Sequence, residues 1–331
     1  MSRTPLCPTH ARWLLALSDP EGPGPDLSTL PPAAVPQLLA AARAHLVLPV
    51  LWRRLRDMRT AETAVALDKA HRELELLTAH GLLLTHYAGR IAAGLAPAQV
   101  RFAIVKGRAF AALYPHASDR PFTDIDMLVQ PEDRAMVEAT LEALDFVPAP
   151  RKTIDHSAAY GEFKWTARQA PNVLVEVHLN LVHYPLLRRT VSLSLDDLAA
   201  FGGAEAPAGR LMVAVAHAAA GHKFHALRLI VDVLQAARAM EVQTAQAFAE
   251  TAVRRGWALE AGIALDLAAR LYGDARTASI ATLLPSTPAR ALAARLLSET
   301  AILDAPQHGI ASRLRRTLVR GLQHVRPARR Q

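Results

Sequence analysis

Cysteine is nearly missing from this chain. Cys7 stands alone among 331 residues, which excludes an internal disulfide and a cysteine-based zinc centre. A reducing cytoplasm is the simplest setting. Aromatic residues are also scarce, at 5%, and the abundance of Ala, Leu and Arg in their place favours helices. No uninterrupted apolar run reaches the roughly 18 residues of a membrane span, and the opening Met1-Ser-Arg-Thr-Pro-Leu-Cys-Pro8 lacks a signal-peptide pattern. Acidic residues stop at Asp304, yet Arg313, Arg315, Arg316, Arg320, Arg326, Arg329 and Arg330 follow it. Without those seven arginines the net charge falls from +8 to +1, so basicity belongs to the tail. Such a tail suits an acidic partner, anionic lipid or nucleic acid, and suits a solvated helix end equally well. RNA is disfavoured as a substrate, because neutralising phosphates takes distributed Lys and Arg.

What is present is enough apolar material for large cores: 51% of residues are hydrophobic, which excludes a disordered protein. The length fits two or three structural units. A short helical piece and a Pro/Gly-rich connector, Asp19–Pro25, come first, then helices near 34–45 and 48–58. Leu67, Leu74, Leu77, Leu84 and Ile91 keep helical spacing, so one long helix is predicted over 62–94, closed by Gly94 and Pro97. The texture then changes. Val100–Val105 reads as a strand, Lys106-Gly107 as a turn and Arg108–Tyr114 as a short helix. A second strand holds Asp124 and Asp126, and a helix starts at Pro131. Glu162–Thr166 and Val173–Leu179 read as a hairpin turning at 168–172. Beyond about 186 helical periodicity returns, over 209–240, 244–272 and 287–323. The expectation is an α+β fold, with a small mixed sheet over 96–185 flanked by helices and set between an N-terminal helical region (1–95) and a C-terminal one (186–331) with the Arg-rich tail.

Thr123-Asp-Ile-Asp-Met-Leu-Val129 carries the chemistry. Residues i and i+2 of a strand share a face, so Asp124 and Asp126 aim together. Two buried like charges call for a proton or a cation. A hard cation such as Mg2+ takes carboxylate oxygens and keeps room for substrate phosphates. Glu176, inside Leu-Val-Glu-Val-His-Leu, is a third acid on an otherwise apolar strand. Three carboxylates converging from two strands can hold divalent ions that activate an attacking hydroxyl.

The series of strand, Lys106-Gly107, short helix, Arg120, Asp124-Ile-Asp126-Met-Leu-Val and Leu-Val-Glu176-Val-His178 resembles the polymerase-beta-like nucleotidyltransferase superfamily. Within it, the chain is similar to an uncharacterised bacterial nucleotidyltransferase family with a Lys-Gly…Arg…Asp-Ile-Asp-Leu-Leu-Val pattern. The resemblance covers roughly residues 75–240. It implies a nucleotidyltransferase-type sheet, with Asp124 and Asp126 binding two Mg2+ (or Mn2+) ions and Glu176 completing the catalytic metal site. It also implies an NTP such as ATP as co-substrate. One departure is clear: the superfamily usually carries Gly-Ser where this chain has Lys106-Gly107. Here Gly107 lets backbone N–H groups approach a phosphate and Lys106 adds charge.

Arg108 and Arg120 offer planar forks that match phosphate oxygens, and Arg120 could equally be a structural partner of Asp124 or Asp119. His178, on the Glu176 face, is either an acceptor-orienting base or a core histidine. His222 and His225 have i,i+3 spacing and share a face if a helix runs there; a zinc site would need further ligands, and none is evident. Arg228 and Asp232, one turn apart, fit an ion pair, and with His217 or His222 they match a His…Arg…Asp pattern that such families carry near the cleft. Asp196-Asp197 suits a helix start. The leading expectation is a Mg2+-dependent enzyme that moves an NMP from an NTP to an acceptor hydroxyl of a small molecule, peptide or protein. The rivals are a non-catalytic docking protein acting through its basic C-terminal helix, and a peripheral membrane protein attached by that helix.

Overall fold

The computed structural model describes residues 8–149, 161–303 and 310–324. Four helices open the chain: α1 (Pro8–Ser18), α2 (Val35–Ala44), α3 (Leu48–Leu55) and the long α4 (Ala64–Leu95). The sheet section follows as β1 (Phe102–Val105), α5 (Gly107–Ala111), β2 (Ile125–Val129), α6 (Arg134–Ala143), β3 (Phe146–Pro148), β4 (Glu162–Ala167) and β5 (Ala170–His178). The remaining α-helices among the described residues are α7 (Pro185–Arg188), α8 (Leu195–Ala199), α9 (Pro207–Val215), α10 (Leu227–Arg238), α11 (Val242–Arg254), α12 (Ala258–Tyr272), α13 (Ala275–Thr282), α14 (Pro288–Leu296), α15 (Glu299–Leu303) and α16 (Ile310–His324).

The five strands among the described residues form one mixed sheet in the order β1-β2-β5-β4-β3. β2 and β5 run parallel, and every other pair is antiparallel. Parallel neighbours need a long crossover, and the chain between β2 and β5 holds α6 and the β3–β4 pair. Alternation gives the sheet two unlike faces. One presents Ile125, Met127, Val129, Val173, Val175, Val177 and Trp165 and buries them under Leu84, Ile91 and Leu95 of α4 and Val137 and Leu141 of α6. The other presents Val105 and Leu128 to a larger core that joins α1–α3 to the C-terminal helices. α4 belongs to both cores, with Leu67 and Ala70 in the larger one and Leu84 onward under the sheet. The sheet is therefore sandwiched, and its polar residues sit on the face turned toward the C-terminal helices.

The long C-terminal stretches of helical periodicity are broken by backbone turns. The run over 209–240 breaks after α9 into a π-helical turn (Ala216–Gly221), and Lys223 and Phe224 then take φ of 52° and 57°. No helix carries His222 and His225 on a common face, contrary to the expectation from their spacing. Gly256, at φ 78°, divides α11 from α12. Asp196 and Asp197 do occupy the first turn of α8, where Ser194 and Asp197 form a capping box. No described helix is long and apolar enough to cross a membrane. Of the tail arginines, Arg315 donates to the Ala301 carbonyl and Arg320 lies 4.8 Å over the Tyr184 ring. Arg326, Arg329 and Arg330 lie outside the described residues.

Candidate active site

Strand register assembles the site. β2 and β5 place Asp126 beside Glu176 and Leu128 beside His178. β5 and β4 place Glu176 beside Lys164 and His178 beside Glu162. Paired residues share a face, so Asp126, Glu176, His178, Glu162 and Lys164 form one polar row across three strands. Two lysines hold the row together. Lys106 Nζ lies 2.6 Å from Asp126 Oδ1. Lys164 Nζ lies 2.7 Å from Glu162 Oε1 and also pairs with Glu176 Oε1. His178 Nε2 is 3.0 Å from Asp126 Oδ1 and 3.8 Å from Glu176 Oε2.

Lys106 reaches Asp126 from an unusual backbone conformation. It sits between β1 and α5 with φ 63° and ψ −141°, a region that costs a non-glycine residue about 1–3 kcal/mol. Gly107 follows at φ 46°. A Cβ there would meet Phe122 only at ordinary contact, 3.6 Å, so the dihedral rather than crowding is what suits glycine. Such strain at a functional turn is a reason to look for chemistry there.

The row faces a cavity of about 390 Å3. Lys106, Asp124, Asp126, Glu162, Lys164 and Glu176 line one side; His183, His217, His222 and Arg228 are on its wall as well. At Gly107, Phe122, Asp124 and Asp126 the cavity meets a larger groove of about 1020 Å3, which runs along β1 between α4 and the segment from α8 to α9. Arg108 is exposed and lines this groove, not the cavity.

Proton affinities diverge within the row. Burial pushes the Asp124 carboxyl up, and the charge of Asp126 adds to it. Burial, Asp126 and Glu162 push Glu176 up against the opposing pull of Lys164. For Asp126 burial acts upward too, but Lys106 and His178 outweigh it and hold the carboxyl well below its ordinary value. The three acids thus split into one firmly ionised group and two with raised proton affinity, the separation that acid–base roles require. Also lining the cavity, His217 has its imidazole drawn well below its ordinary value, by burial first and then by Lys106 and His222.

Arg120 has another partner than Asp119 or Asp124. Its Nε donates to Asp232 Oδ1 at 2.7 Å and its Nη2 to Oδ2 at 2.9 Å, with side-chain exposures of 3% and 1%. Tyr114 donates to the same Oδ1 at 2.7 Å. Asp119 takes Arg53 instead. The Arg120 fork is spent on α10, so it is a wall of the cavity more than a free clamp. The one-turn pair Arg228–Asp232 does not form, because the carboxylate is already taken. Arg228 keeps a shielded Nε with no hydrogen bond, and burial and then Arg120 draw its guanidinium down to about 10. A desolvated cation on a cavity wall is a ready anion site.

The strands thus bring Asp126 and Glu176 together, with Asp124 and Lys106 on the same cavity. Oxygens of Asp126 and Glu176 and a nitrogen of His178 lie within 4.8 Å of one another. The carboxylate donors fit a hard divalent cation such as Mg2+ or Mn2+. Sequence reasoning missed Glu162, Lys164 and His183. The first two alternate onto one face of the hairpin strand, and only the register of β4 with β5 sets that face beside Glu176.

A family model described as uncharacterised nucleotidyltransferase matches residues 31–273, about three quarters of the chain, and spans the sheet, the cavity and α10. No curated protein matches the chain, and no solved structure does.

Proposed function

This chain belongs to the uncharacterised nucleotidyltransferase family, and from that membership we propose that it transfers a nucleoside monophosphate from an NTP to an acceptor hydroxyl on a small molecule, peptide or protein. The observation that carries the reading is the registered pair Asp126–Glu176 on parallel strands, placed where the 390 Å3 cavity opens into the groove. The cavity takes the nucleotide and the groove takes the acceptor.

Mg2+ or Mn2+ held by Asp124, Asp126 and Glu176 would neutralise phosphate charge and favour ionisation of the acceptor hydroxyl. The residues do the rest. Lys106, aimed at Asp126, and Arg228, with its unpartnered Nε, receive phosphate oxygens. Gly107 lets the triphosphate approach the backbone. Arg120 holds the cavity wall through Asp232. His178 keeps Asp126 oriented and ionised. The acceptor oxygen attacks the α-phosphorus, the bond from that phosphorus to the bridging oxygen of the β-phosphate breaks, and pyrophosphate leaves. The hydroxyl proton passes to a carboxylate of the row.

The test is to offer each NTP with Mg2+ and candidate acceptors to the purified protein and to follow pyrophosphate release. Asp126→Ala and Glu176→Ala should be silent while remaining folded. Turnover equal to that of the unaltered protein in either variant defeats the assignment.

A further inference from the structure

A second set of ligand-type atoms lies beside the carboxylate row. One oxygen of Glu162 and one ring nitrogen each from His178 and His183 fall within 4.8 Å of one another. Register explains the first two: Glu162 opens β4 directly opposite His178 at the end of β5. His183 follows in the segment leading to α7, its ring edge-on to that of His178 at a centroid distance of 5.0 Å.

Glu162 gives Oε1 to Lys164 at 2.7 Å, while Oε2 lies 3.3 Å from His183 Nδ1. That nitrogen is shielded from water and makes no hydrogen bond, so its contact is the ion-pair approach to Glu162. His178 is 1% exposed. Its Nε2 is engaged by Asp126 at 3.0 Å, and its Nδ1 is shielded with no partner. With Nε2–H donating to the carboxylate, Nδ1 carries the lone pair. A carboxylate that fixes an imidazole tautomer in this way is the usual support behind a metal-bound histidine.

We propose that Glu162, His178 and His183 form a binding site for a borderline transition-metal dication, Zn2+ above all, beside the oxygen site at Asp124, Asp126 and Glu176 and with His178 between the two. Two imidazoles and one carboxylate suit Zn2+ and its neighbours in the series, whereas Mg2+ seeks oxygen. Three protein ligands leave a coordination position open. Glu162 and His183 both line the cavity, so that position is reachable by water or by a substrate atom. Lys164 need not move, since it uses the other oxygen of Glu162.

The experiment strips the full-length protein with a chelator and dialyses it against Zn2+ alone, without nucleotide, under a large excess of Mg2+. One Zn2+ per chain should be retained. Binding should weaken at least tenfold in His183→Ala and in Glu162→Gln and stay unchanged in Asp124→Asn. X-ray absorption at the zinc edge of the unaltered protein should show scattering from two imidazoles, a reading that needs no variant to fold. Failure to retain Zn2+ against Mg2+, equal binding in both variants, or a spectrum with oxygen neighbours only would overturn the site. None of these outcomes depends on nucleotidyl transfer.

Discussion

Removing the Asp232 carboxylate should damage stability far more than it damages any single contact. Arg120 and Asp232 are 3% and 1% exposed, so neither charge can be hydrated where it stands. The carboxylate accepts two hydrogen bonds from the guanidinium and one from Tyr114. In Asp232→Ala the guanidinium is left as an uncompensated buried cation, a change that costs about 3–5 kcal/mol. The orphaned Tyr114 hydroxyl adds about 1 kcal/mol. Asp232→Asn keeps the shape and one acceptor and should fall between. Exchanging both partners for apolar residues, Arg120→Met with Asp232→Leu, should recover most of the loss, because two desolvated charges vanish together. Urea unfolding followed by tryptophan fluorescence gives the four values. A loss below about 1 kcal/mol in Asp232→Ala would refute the reasoning. So would an Arg120→Ala variant with unchanged stability and only a raised KM for NTP, the signature of a free phosphate clamp.

Three further outcomes follow from neighbouring features. Arg228→Met should raise the KM for NTP about 10-fold or more, equivalent to the loss of one charged hydrogen bond, yet leave stability in nucleotide-free buffer equal or higher, since its Nε has no partner to lose; unchanged kinetics would count against a phosphate role. Lys106→Met in chelating buffer should cost about 2 kcal/mol at pH 7. The Asp126 carboxyl lies below its unfolded value, so its stabilisation is full above about pH 4 and fades as pH falls further; the gap between variant and unaltered protein should therefore shrink on acidification, and a gap that widens would contradict the assignment. Gly209→Ala should cost several kcal/mol, because its methyl would sit 1.7 Å from the Gly203 carbonyl oxygen and must displace the turn bordering the groove; calorimetry showing a change under about 1 kcal/mol would refute this.

Local periodicity was enough for the α+β order, the long α4 and the hairpin. It also put Asp126 and Glu176 on buried strands, because an acid interrupts an apolar run visibly. What it could not give were the partners. Arg120 and Asp232 are 112 residues apart, and no spacing rule joins them; the nearer Asp119 and Asp124 were the natural guesses. The same remoteness misled the reading of Arg228, whose helical spacing to Asp232 is right but whose carboxylate was already engaged. His222 and His225 looked like one helix face because i,i+3 spacing says nothing about Lys223 and Phe224 turning to positive φ. Glu162 and Lys164 were legible only once β4 was set against β5, and His183 lies beyond any strand pattern.

The most direct measurement is nucleotide binding as a function of the divalent ion. Titrating the protein with a triphosphate analogue that resists cleavage between its α- and β-phosphates, with and without Mn2+, should show ion-dependent binding that Asp126→Asn and Glu176→Gln both abolish while circular dichroism stays unchanged. Binding that ignores the ion, or that survives in both variants, would contradict the account.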